Sequence, residues 1–121
     1  MTRPPAADAA AADARTIFHI AFARDWESAR LTGSYRISTR GLTLDEVGFI
    51  HAGFAHQVAD VGAAFYADVD ESLVLLVIDR DRLDVPVIVE NLDGGDELFP
   101  HIYGPLPTSA VTEVREFTVE A

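Results

Sequence analysis

The chain contains no cysteine and no lysine. Without cysteine there is no disulfide framework, no thiolate zinc finger and no cysteine nucleophile; the lack also fits a reducing cytosol. Without lysine no Schiff base can form. The 9 basic residues are all arginine and stand against 20 Asp and Glu, a formal net charge of −11. Such a chain is repelled by phosphate backbones, so a nucleic-acid partner is not expected. No apolar run approaches the roughly 20 residues of a membrane span. Residues 1–14 are rich in Ala, Asp and Pro and lack an apolar signal-peptide core; they read as a disordered tail. The expected setting is therefore the cytoplasm, with residues 15–121 as a single globular domain. At 49% apolar residues the chain can bury a core without metal or disulfide staples.

Periodicity predicts short elements. Residues 16–21 read as a strand. Asp25 is placed to cap a short helix over about 26–32 that Gly33 ends, with Trp26 and Ala29 on its packing side. Residues 34–38 suggest a strand, and 39–47 a loop or a turn of helix. The clearest helix spans about 54–66, with Phe54, Val58, Val61 and Phe65 in one stripe. His56 falls on the opposite face, Gln57 borders the stripe, and Asp68, Asp70 and Glu71 form a solvated acidic turn. The continuous apolar run at 72–78 is expected to be a central strand covered on both faces. Further strands are expected at 85–89, leading to Glu90, at 99–103 and at 110–119, with a polar loop at 91–97 between the first two. Two helices with about six short strands indicate an α+β domain.

What remains is three histidines set in apolar surroundings: His19 in a strand, His51 at a strand-to-helix junction, and His101 two residues before Tyr103. An imidazole that loses water needs partners. Together they suggest one pocket, although His19 taken alone reads more readily as a core histidine bonded to a backbone carbonyl. Glu90 at a strand end is either a solvated terminus or a carboxylate aimed into that pocket. There is no phosphate-binding glycine loop, no nucleophile elbow around Ser38 or Ser109, and no zinc-protease motif.

In chain order the informative segments are Ile17-Phe18-His19-Ile20, Asp25-Trp26-Glu27, Gly33-Ser34-Tyr35, Gly48-Phe49-Ile50-His51, His56-Gln57-Val58, Leu75-Leu76-Val77-Ile78-Asp79, Glu90, and Phe99-Pro100-His101-Ile102-Tyr103-Gly104-Pro105-Leu106. The combination resembles the small bacterial proteins catalogued as domain of unknown function 952. That resemblance implies a fold similar to the ADP-ribosyltransferase fold, with two small twisted sheets facing a cleft for NAD. It implies that His19 holds a ribose and that His51 occupies the place of a histidine pair in RNA 2′-phosphotransferases of that fold. Gly48-Phe49 stands where those enzymes carry an arginine, which argues against a phosphorylated RNA substrate. Either Glu90 or the His101/Tyr103 segment fills the fold's third motif.

The leading expectation from this resemblance is ADP-ribosyl transfer or NAD glycohydrolysis. Glu90, His51 and His101 would be catalytic, and His19, Gln57, Tyr103, Arg36 and Arg40 would bind ligand. Tyr103 or Tyr66 would stack on nicotinamide, and Arg36 or Arg40 would contact the pyrophosphate. NAD is the cofactor the resemblance implies; the residues themselves assign none. A non-catalytic small-ligand module is the alternative. A metal site built from His19, His51, His101 and Glu90 ranks last.

Overall fold

A computed structural model describes residues 15–92 and 95–119. The expected tail at 1–14 lies outside the described residues. The chain runs β1 (Thr16–Phe22), α1 (Ala23–Thr32), β2 (Ser34–Tyr35), β3 (Ile37–Thr39), β4 (Leu42–Thr43), α2 (Leu44–Val47), β5 (Ile50–His51), α3 (Val58–Tyr66), β6 (Leu73–Asp79), β7 (Val87–Glu90), β8 (Phe99–Ile102), β9 (Leu106–Pro107) and β10 (Val111–Phe117). Single 3-10 turns precede α3 and β10 and follow β6. The strands form two three-stranded sheets, β1-β6-β10 and β5-β8-β7, and two ribbons, β2-β9 and β3-β4. No helix among the described residues is long and apolar enough to cross a membrane.

The apolar run of β6 does become the middle strand, antiparallel to both neighbours. Alternation splits the sheet into two cores. Ile17, Ala21, Leu76 and Ile78 pack with Trp26, Tyr35, Ile50, Ile102 and Leu106. Phe18, Ile20, Phe22, Leu75 and Val77 pack on the other side with Tyr66, Val58 and Val61. Gly53 ties the second sheet to the first. Its N–H donates to the Phe18 carbonyl and its carbonyl accepts from the Phe18 N–H, both at 2.8 Å, while Ala52 N–H donates to the Pro100 carbonyl at 3.0 Å.

Several local expectations are corrected. Phe22, not Asp25, holds the N-cap position of α1, with no side-chain capping bond; Asp25 lies in the first turn, where a carboxylate complements the helix dipole. Gly33 does end the helix, in the left-handed region at φ 84°. Residues 34–38 form two strands, because Tyr35 pairs with Leu106 while Ile37 turns to pair with Thr43. Residues 39–47 hold a hairpin, turned at Arg40 and Gly41 with φ 48° and 85°, and then α2, which opens on a Thr43/Glu46 capping box.

The helix expected at 54–66 is a 3-10 turn at Ala55–Gln57 followed by α3. Its deeply buried positions are Gly62 and Tyr66, and Phe65 is 46% exposed. A Cβ on Gly62 would lie 2.8 Å from the Phe117 ring, so a bare backbone there lets the helix sit against β10. The contact turns Tyr66 inward and Phe65 outward. Gln57 is not at a rim but buried, at 3% exposure.

Candidate functional site

The β5-β8-β7 sheet has one face toward the core and one that carries polar and aromatic side chains. Ile50 opposes Ile102, and both are fully buried. The alternate residues therefore point the other way. His51 opposes His101, Ile88 opposes His101 from the far strand, and Glu90 opposes Phe99. Tyr103 is two residues beyond His101, and its N–H donates to the Pro86 carbonyl at 2.8 Å, which extends the pairing. Thus His51, Glu90, Phe99, His101 and Tyr103 share one face, as the alternation at 101–103 suggested.

Glu90 gathers two donors on one oxygen. His101 Nδ1 lies 2.8 Å from Oε2, and the Tyr103 hydroxyl donates to the same atom. The Tyr103 and His101 bonds hold the Glu90 carboxyl below its usual value, and the same carboxylate holds the Tyr103 phenol above its own. An ionised carboxylate only accepts, so Nδ1 of His101 carries a proton. Nε2 is then the unprotonated nitrogen of the neutral ring. It has no hydrogen-bond partner among the described residues.

Aromatic rings fix this imidazole in place. Phe49 stacks on it at 4.1 Å between centroids and 23° between planes, and also leans on Tyr103 at 5.5 Å. The His51 ring stands 5.4 Å away, itself flanked by Phe99 at 5.1 Å and Phe65 at 6.2 Å. Phe49, His51, Phe65, Leu92, Phe99 and His101 line a cleft of about 230 Å3. Among the described residues no arginine lines it.

His19 belongs to a second layer behind the cleft. Its Nδ1 lies 2.6 Å from the His51 carbonyl and its Nε2 2.9 Å from the Tyr35 hydroxyl. A carbonyl only accepts, so Nδ1 donates and Tyr35 donates to Nε2. Both ring nitrogens are thereby engaged within the protein, to the His51 carbonyl and the Tyr35 hydroxyl, where the resemblance implied a hold on a ribose. Burial drives its pKa down to about 4, so the ring is neutral. Burial likewise pushes the Tyr35 phenol up. Between His19, Ser38, His51 and Tyr66 remains a gap of about 20 Å3, room for roughly one water.

The remaining expected ligand contacts are scattered. Gln57 accepts from Phe54 N–H at 3.0 Å and donates to the Leu98 carbonyl at 2.9 Å and to Glu97 at 3.2 Å, which makes it a staple behind Phe99. Tyr66 accepts from Arg40 N–H at 3.1 Å and is buried at 3% exposure, so it cannot stack on a ring in the cleft. Arg40 closes the carboxyl end of α3 through the Phe65 carbonyl and Asp68. Arg36 lines a separate groove beside α1 with Asp25 and Ser34. Among the described residues no group of three or more His, Asp or Glu converges to hold a metal ion. Phe49, Phe99 and Tyr35 stand in the informative segments but were given no role from the sequence, and Leu92 was not singled out. Only the pairing of β5 with β8 brings Phe49 against His101 and Phe99 against His51.

Fold and site together define a small α+β domain whose second sheet carries a carboxylate–imidazole pair under aromatic cover. The chain belongs to the family described as protein of unknown function (DUF952), which matches residues 20–114. No curated protein matches it. Among solved structures it is similar to the crystal structure of CC0527 from Caulobacter crescentus, with 28% identity, a TM-score of 0.71, and coverage of 88% of this chain and 89% of that one. The solution structure of CC0527 is similar at 27% identity and a TM-score of 0.69, with 88% of each chain covered. The expected likeness to the ADP-ribosyltransferase fold is not confirmed by these similarities.

Proposed function

We propose that the cleft binds a small, uncharged, mostly apolar molecule of about one ring, and that the Glu90–His101 pair acts on it as a general acid–base. The carrying observation is that Glu90 engages His101 through Nδ1, leaving Nε2 without a partner among the described residues on a ring that lines the aromatic cleft. Glu90 fixes the tautomer and stabilises the imidazolium that forms when Nε2 takes a proton from a bound hydroxyl, an acidic C–H or a water. Tyr103 restrains the carboxylate, and His51 flanks the acceptor nitrogen's ring. His19 and Tyr35 position the His51 backbone from behind. A cytoplasmic setting accords with the cysteine-free composition.

Size and charge support a ligand of this class. The cleft lies below the roughly 300–1,000 Å3 common for drug-sized ligands. A dinucleotide brings a pyrophosphate, and neither Arg36 nor Arg40 lines the cleft. ADP-ribosyl transfer or NAD glycohydrolysis is the second reading, favoured by the carboxylate beside an aromatic wall that could stack nicotinamide.

NMR titration of labelled histidine rings separates these readings. Phenol, benzamide and nicotinamide at millimolar levels are expected to shift His101 and His51 but not His56, and NAD and ADP-ribose to bind no tighter than nicotinamide. Tighter binding of NAD with release of nicotinamide favours the second reading. Ring shifts without turnover of an activated aryl ester favour a binding module. No shift at His101 with any probe overturns the proposed site.

A further inference from the structure

The outer edge of β10 has no neighbour among the described residues. The strand pairs with β6 on one side only, whereas the opposite edge strand, β1, is tied to Gly53. Open edges of this kind are templates for another strand. Both faces of Val111–Phe117 are largely exposed, and Val114 is 41% exposed.

The backbone parity of that edge follows from β1. Phe18 directs both its N–H and its carbonyl to Gly53, away from β6. Its partner Val77 therefore points its own groups toward β10, and alternation makes Leu75 and Leu73 do the same. Arg115 and Phe117, opposite Leu75 and Leu73, spend their backbone groups on β6. Val114 and Glu116 then direct theirs outward.

We propose that β10 pairs antiparallel with β10 of a second copy of this chain, about a two-fold axis at Val114, joining the two sheets into one. Val114 and Val114 of the partner subunit exchange two N–H···O bonds. Glu113 meets Arg115 of the partner subunit on each side of the axis, at non-hydrogen-bonded pairs where side chains approach most closely. The strand is self-complementary in this register. Moving the axis by one residue sets Glu113 or Arg115 against its own copy, and moving it to Glu116 does the same with that carboxylate. Within one chain Glu113 and Arg115 already pair at 2.8 Å, at 53% and 51% side-chain exposure, and a second copy offers each the same partner on a neighbouring strand.

Sedimentation equilibrium on the full chain tests this. The wild type is expected to dimerise. Val114→Pro removes only an outward N–H, a position where an edge strand tolerates proline; it should keep the monomer's circular dichroism and raise the dimer Kd by about tenfold or more. Glu113→Arg should weaken the dimer, and Glu113→Arg with Arg115→Glu should restore it. Because the chain has no other cysteine, oxidised Val114→Cys should form a single symmetric cross-link, the paired Cα atoms being about 5.5 Å apart. A wild type that stays monomeric at millimolar concentration, a dimer indifferent to Val114→Pro, or failure of the charge swap to restore pairing overturns the proposal.

Discussion

Glu90 grips His101 by Nδ1 alone, 2.8 Å from Oε2, while Phe49 lies flat against the ring at 4.1 Å. The hydrogen bond fixes which nitrogen carries the proton, and the stacking fixes where the other one points. Nε2 of His101 is thereby left without a hydrogen-bond partner among the described residues, which is what the proposed acid–base role requires.

Removing the Glu90 charge should be visible first in Tyr103. Its phenol is raised by Glu90, and the other two tyrosines, Tyr35 and Tyr66, are raised by burial. In Glu90→Gln an alkaline absorbance titration should therefore show one tyrosine moving down toward 10.0 and the other two unchanged. The stability effect has a defined sign. The folded carboxyl sits below its ordinary 4.5, so its contribution is present above that pH and fades as pH falls through the folded value. Thermal melts of wild type and Glu90→Gln should converge in acid. A gap that persists in acid would mean that the variant loses packing and not charge.

His19 acts in the same direction over a higher pH window. Its ring stays neutral in the fold down to about 4, against 6.5 when free. Above 6.5 neither state is protonated and stability is full. Between 6.5 and 4 the unfolded chain takes up a proton that the folded one refuses, and stability falls by roughly 3 kcal/mol in total. His19→Gln has no such titration. Denaturant midpoints should show it less stable than wild type at pH 7 but flatter between 7 and 4. Equal slopes would contradict a buried neutral ring. Tyr35→Phe leaves Nε2 unsatisfied and should cost about 1–3 kcal/mol.

The middle strand, the Gly33 stop and the α+β class were legible because they rest on local pattern: an unbroken apolar run, a left-handed cap, and short elements. The shared face of His101 and Tyr103 followed from strand alternation. What was not legible depends on distant partners. Tyr35 could be placed only once β9 and His19 were known to flank it. Tyr66 displaces Phe65 from the core because Gly62 meets Phe117 from the far end of the chain. Arg40 looked like a ligand contact, yet it closes a helix 25 or more residues away. The Thr43/Glu46 capping box was readable from spacing alone and marks the start of α2.

Gln57 links the start of α3 to the strand that carries His101, and its amide group is essential to that. Gln57→Glu keeps the acceptor for Phe54 N–H but loses the donor to the Leu98 carbonyl and sets a second carboxylate beside Glu97. The cost at neutral pH is expected to be on the order of 3 kcal/mol. It should shrink in acid, because the introduced buried carboxyl has a raised pKa and regains a donor when protonated. Hydrogen exchange should speed up at residues 97–99. Unchanged exchange there would show that the loop is held by other contacts.

Gly104 is required for space. A Cβ at that position would lie 2.5 Å from Val85 Cγ1 and 2.8 Å from Val85 Cβ, and the second of these cannot swing aside. Gly104→Ala must therefore push the chain off the start of β7, at the point where Tyr103 is bonded to Pro86. The overpacking should cost about 1–3 kcal/mol. It should also loosen the Tyr103 hydroxyl from Glu90, so that the Tyr103 phenol titrates nearer its ordinary value. Val85→Ala removes both Cγ atoms and should return part of the lost stability when combined with Gly104→Ala, although it destabilises the wild type. If the double variant is only as stable as the sum of the single losses allows, Gly104 and Val85 do not compete for the same space.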